Sequence, residues 1–372
     1  MNHDALSSLS PAAQKALAAK PMAAKGLVPL ARPADMTSVL YQIAATDPAL
    51  EGTASATAAG LPDAILLGAV GDATIDPRVV DWIALRAGDR AKIFDAIVLG
   101  PATADPTIAT LAGKGDARQV DLIAQNEQRL LRHPEIIAAL YTNAKARMST
   151  VDRVVELAVR EHVRVPGLAC WDEVARAIGA GAPVATAADD AVFAQAAAGL
   201  AELDETPLVT GDAEKFAPEL GEDGAAKAEA APEVDEKKIP ISKMSPSQKI
   251  RLATLGNAFA RAVLIRDPMK MVAVAAIKSP GVTEIEAARY AGNAGLADDV
   301  IRHIAARREW TKLYGVKIAL IMNPKTPMTE SMRLMPFLRD KDLRNVARSR
   351  GVPSAVVAQA RKLISQRTPG AK

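Results

Sequence analysis

Asp76-Pro-Arg-Val-Val-Asp-Trp-Ile-Ala-Leu-Arg-Ala-Gly-Asp-Arg-Ala-Lys-Ile-Phe-Asp-Ala-Ile-Val-Leu-Gly100 is the stretch that decides how the chain folds. An Asp makes a good helix N-cap because its carboxylate accepts an orphan backbone N–H. A Pro suits the first helical position, where its missing N–H would go unpaired anyway. Asp76-Pro77 therefore marks a helix start. Val79, Val80 and Ile83 then fall on one face at helical spacing, and after the break at Gly88-Asp89 so do Ile93, Phe94, Ile97 and Val98. The unit is a pair of short helices.

The same dipeptide stands at Asp47-Pro48 and Asp105-Pro106, and His133-Pro134 continues the series at near-constant spacing. A helix pair of this length cannot bury its apolar face alone and must stack on its neighbours, so the spacing predicts an all-α chain built as an α-solenoid. A longer repeat lies over the short one. Ala139, Leu140, Asn143, Lys145 and Met148 recur in one common register as Ala319, Leu320, Asn323, Lys325 and Met328. Pro101 pairs with Pro280 and Ala112-Gly113 with Ala291-Gly292 in almost the same register, and Val165-Pro166 resembles Val352-Pro353 a little further on. These matches predict a chain duplicated into two arms, over 36–199 and 241–368, preceded by a tail at 1–35 with one helix.

Composition agrees. Of the 372 residues 49% are apolar, mostly Ala, Leu, Val and Ile, while aromatics make up only 3%, which favours helices of close-packed small residues over β-sandwiches. The net charge of +3 conceals an asymmetry: residues 237–372 carry 26 Lys and Arg against 9 Asp and Glu, a charge of +17 that the remainder offsets with −14. Between the arms, 202–236 holds 12 acidic residues against Lys215 and Lys227. So little apolar surface should not offset the entropy of ordering, and 200–240 is expected to be a disordered acidic linker with a weak helix near 224–231.

The segments Asn126-Glu-Gln-Arg-Leu-Leu-Arg-His-Pro134 and Ile318-Ala-Leu-Ile-Met-Asn-Pro-Lys-Thr-Pro327 are similar to those of bacterial HEAT-like α-solenoid repeat proteins. The resemblance spans most of 36–199 and 245–367 and implies stacked helix pairs. Scaffolds, nucleic-acid binders and a few enzymes share that architecture, so it transfers no functional residue.

A search for chemistry is mostly negative. His3, His133, His162 and His303 lack metal-ligand spacing. Cys170, the only cysteine, has no base nearer in sequence than His162 and reads as a packed small hydrophobe in a reducing, cytoplasmic compartment. No glycine pattern matches a phosphate-binding loop. The N-terminus lacks the basic start and apolar run of a secretory signal, and runs such as 271–277 and 318–322 fall far short of the roughly 20 residues of a membrane span. Asp298-Asp299 and Glu284 with Glu286 read as helix starts favoured by the macrodipole. No catalytic residue, cofactor or metal is expected.

One feature reads as a binding site. After Asp340, Lys341, Arg344 and Arg348 recur at helical spacing opposite Leu343, Val346 and Ala347; Arg302, Arg307, Arg308 and Lys312 follow Asp298; and Arg361 and Lys362 extend the basic surface. Such a stripe could neutralise phosphates, and the acidic linker, tethered to it, could shield it. The first expectation is nonetheless a non-enzymatic scaffold binding protein partners, with nucleic acid on the basic arm as the alternative.

Overall fold

In a computed structural model of the 372-residue chain, residues 6, 9–181 and 185–367 are described. His3 lies outside them. The described residues are all-helical, with one isolated bridge between Leu220 and Ala226 in place of any sheet. They divide into two compact units, Met1–Gly167 and Leu168–Lys372.

Unit 1 contains α1 (Pro11–Ala16), α2 (Lys20–Ala24), α3 (Pro33–Thr46), α4 (Glu51–Gly60), α5 (Asp63–Val70), α6 (Pro77–Ala87), α7 (Ala91–Leu99), α8 (Asp105–Lys114), α9 (Ala117–Ile123), α10 (Glu127–Arg132), α11 (Glu135–Thr142) and α12 (Met148–Arg160). Asp76 caps α6 as its spacing predicts, accepting from the Arg78 N–H at 2.9 Å. Val79, Val80, Trp82 and Ile83 are buried on the inward face, and Trp82 meets Tyr41 edge-on. Gly88 ends the helix where any Cβ would lie 2.2 Å from the Ala84 carbonyl oxygen. At Asp47-Pro48 the outcome differs. Asp47 follows the end of α3, and its carboxylate caps a turn through the Ala49 N–H, so α4 starts only at Glu51. The tail does not stand apart either: α1 and α2 pack on α3.

Alternate helices pack in succession, α3 on α5, α5 on α7 and α7 on α9 in one row, α4 on α6, α6 on α8 and α8 on α11 in the other. At three places a basic side chain ties one step to an earlier one. Arg90 donates to the carbonyls of Ala59 and Leu61 and pairs with Asp63, 31, 29 and 27 positions back. Arg367 does the same in unit 2 with Pro336, Leu338 and Asp340, at the same three separations. Arg129 reaches Val98 and Gly100, also 31 and 29 back, while Arg132 takes Asp105. A guanidinium there satisfies carbonyls left over at one helix end and the carboxylate that opens the next helix.

Unit 2 contains α13 (Trp171–Gly179), α14 (Ala187–Ala201), α15 (Thr206–Val209), α16 (Pro246–Leu255), α17 (Ala258–Leu264), α18 (Lys270–Lys278), α19 (Glu284–Ala291), α20 (Asp298–Ala306), α21 (Arg308–Thr311), α22 (Tyr314–Met322), α23 (Met328–Leu334), α24 (Asp340–Arg348) and α25 (Ser354–Arg367). One row runs α13, α16, α18, α20, and α19, α22 and α24 follow one another in the second. The boundary expected after residue 199 therefore falls well before it, at Gly167, because α13 and α14 belong to unit 2. The reason is visible at Glu173, a buried carboxylate of α13 that receives Lys278 of α18 at 2.9 and 3.0 Å. No single helix among the described residues is long and apolar enough to cross a membrane.

Candidate functional site

The acidic segment is not a free linker. It leaves α14, runs out along the second row of unit 2 to the end of α24, turns, and returns to α16, forming a strap held mainly through its backbone. On the outward leg the Glu205 carboxylate accepts the Ala258 N–H at the start of α17. Arg289 of α19 donates to the carbonyls of Pro207 and Thr210. The Glu214 carboxylate accepts the Tyr314 N–H at the start of α22. These two carboxylates sit on helix N-termini, where unpaired N–H groups and the macrodipole favour an anion.

At the far end the Asp223 carbonyl accepts the N–H groups of Arg350 and Gly351 and the Ser349 hydroxyl. The expected helix near 224–231 is replaced by this turn and an extended return leg. There the Ala226 N–H donates to Met322, and the Lys227 carbonyl accepts from Ala294. Asn293 then grips one strap residue at both its backbone groups. Its Oδ1 accepts the Glu229 N–H at 3.0 Å and its Nδ2 donates to the Glu229 carbonyl at 3.4 Å. Arg266 adds a bond to that carbonyl and an ion pair to the Glu229 carboxylate at 3.5 Å.

Small residues let the strap come this close. A Cβ on Gly315 would lie 2.1 Å from the Ala213 carbonyl oxygen, and one on Gly351 2.5 Å from the Ala225 Cβ. Ala213, Ala225 and Ala226 are buried. Composition alone points to disorder because it counts apolar side chains; here backbone hydrogen bonds and close glycine–alanine contacts supply much of the attachment. Glu219, Glu222 and Glu233 are exposed, so part of the strap's charge points to solvent.

The basic stripe is split. Lys341, Arg344 and Arg348 stand on the exposed face of α24, opposite the buried Leu343, Val346 and Ala347, and have no carboxylate partner among the described residues. Arg361 and Lys362 are exposed on α25, with Arg361 donating to the Ala347 carbonyl at the end of α24. Arg302 belongs to α20, in the other row, and pairs with Asp299 at 3.5 Å. Arg307 lies over the Trp310 ring, and Arg308 and Lys312 are exposed beside it. No stripe side chain meets a strap carboxylate among the described residues, so the strap does not shield the stripe by direct pairing.

Arg302 and His303 line an open cavity of about 430 Å³ together with Glu173, Arg176, Lys270 and Asp299. Its carboxylates are already engaged with Lys278, Arg176, Lys270 and Arg302. Burial, with Arg307 and Lys278 adding to it, pushes the His303 imidazole down to about 4. Cys170 is buried with its sulfur 3.4 Å from the Thr254 hydroxyl. Among the described residues no three His, Cys, Asp or Glu side chains converge to hold a metal.

Sequence reasoning missed Asn293, Arg266 and Arg289 because each acts on a segment it had set aside as unstructured. Asn293 carries a signal in hindsight, since Asn143, Asn293 and Asn323 all stand just beyond the C-terminus of a helix. No protein-family model, curated protein or solved structure matches this chain.

Proposed function

We propose that the chain is a non-enzymatic protein-interaction scaffold, a HEAT-like α-solenoid in two arms whose second row of helices binds extended polypeptide. The observation that carries this reading is the strap. Unit 2 holds a long run of irregular chain by backbone bonds from Arg289, Asn293 and Arg266, a mode of attachment largely indifferent to side-chain identity. A helix row able to hold its own strap in this way is suited to a similar segment from another protein. The test is to replace 212–234 with a flexible Gly-Ser linker and titrate in a peptide spanning 205–234. Saturable binding that Asn293→Ala weakens supports the reading; absence of binding by a folded variant removes it.

A second reading is favoured by the unpaired cations on α24. Lys341, Arg344 and Arg348 would contact phosphates of nucleic acid, without the aromatic platforms that single strands use. In that case the full chain binds random-sequence duplex DNA with an affinity that falls steeply between about 50 and 200 mM salt and drops further when all three are changed to Ala. Binding insensitive to salt, or no binding at the lower concentration, leaves these residues a solvated face.

A further inference from the structure

The two units repeat each other closely enough for a position in one to be located in the other. α6 to α9 correspond in order to α17 to α20, and the first residues of the four pairs agree in register to within a position or two. Arg86 and Arg266 are equivalent: each sits at the end of its helix region and donates through Nη1 to the carbonyl four residues back, Trp82 in one case and Ala262 in the other. Lys114 stands where unit 2 has Asn293, since Ala112 and Ala291 supply the same carbonyl to Asn143 and Asn323.

In unit 2 the space between Arg266 and Asn293 is filled by the strap main chain at Lys227 and Glu229. The equivalent space in unit 1 is an open cavity of about 360 Å³ walled by Leu85, Phe94 and Leu111 and edged by Arg86, Lys114 and Gln119. Arg86 uses Nε on Ser55 and Nη1 on Trp82, and its Nη2 has no hydrogen-bond partner among the described residues. The corresponding Nη2 of Arg266 is the one that pairs with the Glu229 carboxylate.

We infer that this cleft of unit 1 is a second polypeptide site, one that takes an extended acidic segment of a partner protein in the way unit 2 takes its own strap. A carboxylate of the segment pairs with Arg86 Nη2, and Lys114, exposed at the rim, attracts the same charge; Asp89 at the cavity edge repels it and so confines the carboxylate to the side of Arg86 and Lys114. Small apolar side chains beside the carboxylate fit against Leu85, Phe94 and Leu111. The inference rests on the reading of unit 2 as a polypeptide-binding row, and it extends that reading to a site with no occupant from this chain among the described residues.

The test uses the intact chain and a peptide of residues 222–234, labelled with a photo-crosslinker beside Glu229. The strap, tethered at an effective concentration of order millimolar, keeps the unit 2 position filled, so the peptide reports unit 1. Saturable binding is expected with Kd of roughly 10–100 μM, with crosslinks between residues 84 and 119. Lys114→Glu lowers the affinity by about tenfold, as charge reversal at an ionic contact does, and Arg266→Ala leaves it unchanged. Lys114 is exposed, so its variant folds even if Arg86→Ala, which disturbs the stacking on Trp82, does not. No saturation on the intact chain overturns the inference. Crosslinks in unit 2, or equal binding by Lys114→Glu, overturn it as well. Self-association of the intact chain abolished by Lys114→Glu would assign the cleft to the strap of a second copy instead. If the strap-replaced chain binds the peptide and the intact chain does not, only the unit 1 site fails; if neither binds, the reading of unit 2 fails too.

Discussion

Asn143 and its counterpart in the other unit, Asn323, make three hydrogen bonds of the same kind. Asn143 donates through Nδ2 to the carbonyls of Ala112 and Gly115, both at 2.8 Å, and accepts the Lys145 N–H at 2.9 Å. Asn323 donates to Ala291 and Asn293 at 2.9 and 3.2 Å and accepts the Lys325 N–H at 3.0 Å. Each amide closes the turn after its own helix and satisfies the leftover carbonyls of the helix packed beside it. Both side chains are buried, so the duplication seen in the residue pattern extends to bonds that set the helix stacking.

Replacing either Asn with Ala strands two buried carbonyls and a turn N–H. The expected cost is about 2–3 kcal/mol for the unit concerned. Trp82 reports unit 1, and Trp171 and Trp310 report unit 2, so urea unfolding followed by fluorescence in single-Trp backgrounds separates the effects. Asn143→Ala should shift the Trp82 transition and Asn323→Ala the Trp310 transition.

A second prediction concerns Arg261 and Glu286, which form a buried two-bond pair, both contacts at 2.9 Å. Glu286 also accepts from the Thr283 N–H and hydroxyl, and Arg261 donates to the Gly256 carbonyl. Burial and the adjacent Glu286 push the Tyr290 phenol well above its ordinary range. Breaking such a pair leaves one uncompensated buried charge, so Arg261→Met should cost about 3–5 kcal/mol. Arg261→Met combined with Glu286→Leu should recover part of that loss. Denaturant unfolding of the two singles and the double gives the coupling directly, and additivity would show that the pair is not coupled.

How much of this was legible in the sequence depended on whether the deciding contact was local. The cap at Asp76 and the face of α24 set by Leu343 and Val346 are matters of spacing within one helix, and periodicity finds them. The same dipeptide at Asp47-Pro48 forms a turn instead, because α3 runs up to Thr46 and the chain must reverse before α4. Glu286 reads as a first-turn acid, which it is, but its buried partner Arg261 lies on another helix, α17. The strap was least legible. Its attachment comes from backbone groups meeting Asn293, Arg289 and Gly315, and none of these contacts leaves a mark on hydropathy or charge.

Gly315 gives the strap a direct test. A methyl group there would lie 2.1 Å from the Ala213 carbonyl oxygen and 2.8 Å from the Phe216 Cβ, so Gly315→Ala must push the outward leg away. Overpacking of this kind costs about 1–3 kcal/mol, and the strap is the part with room to yield. Trypsin should then cut at Lys215 and Lys227 faster than in the wild type under conditions where unit 2 remains folded. Unchanged cleavage rates would mean that the strap tolerates the methyl group and is held elsewhere.

Acid should weaken unit 2 through His303. Its imidazole falls from an ordinary 6.5 to about 4 on folding, first because burial penalises the charged ring and then because Arg307 and Lys278 repel it. The ring packs edge-on against Trp310, and its Nε2 is buried without a partner among the described residues, so the neutral form is the one that fits. A base whose folded value is lowered is protonated more readily in the unfolded chain. The stability it contributes is complete above about pH 6.5 and is lost as the pH falls towards 4. Because the ring is only partly buried, the loss is discounted for solvent screening to roughly 1 kcal/mol. Glu173 and Asp299 line the same cavity, so the comparison with His303→Gln isolates the ring. Unfolding free energies at pH 7 and pH 4.5 should differ more for the wild type than for the variant, and the His303 ring resonances should titrate well below pH 6. A midpoint near 6.5 would show that the ring is solvated and that its contacts with Trp310 and Arg307 do not persist in solution.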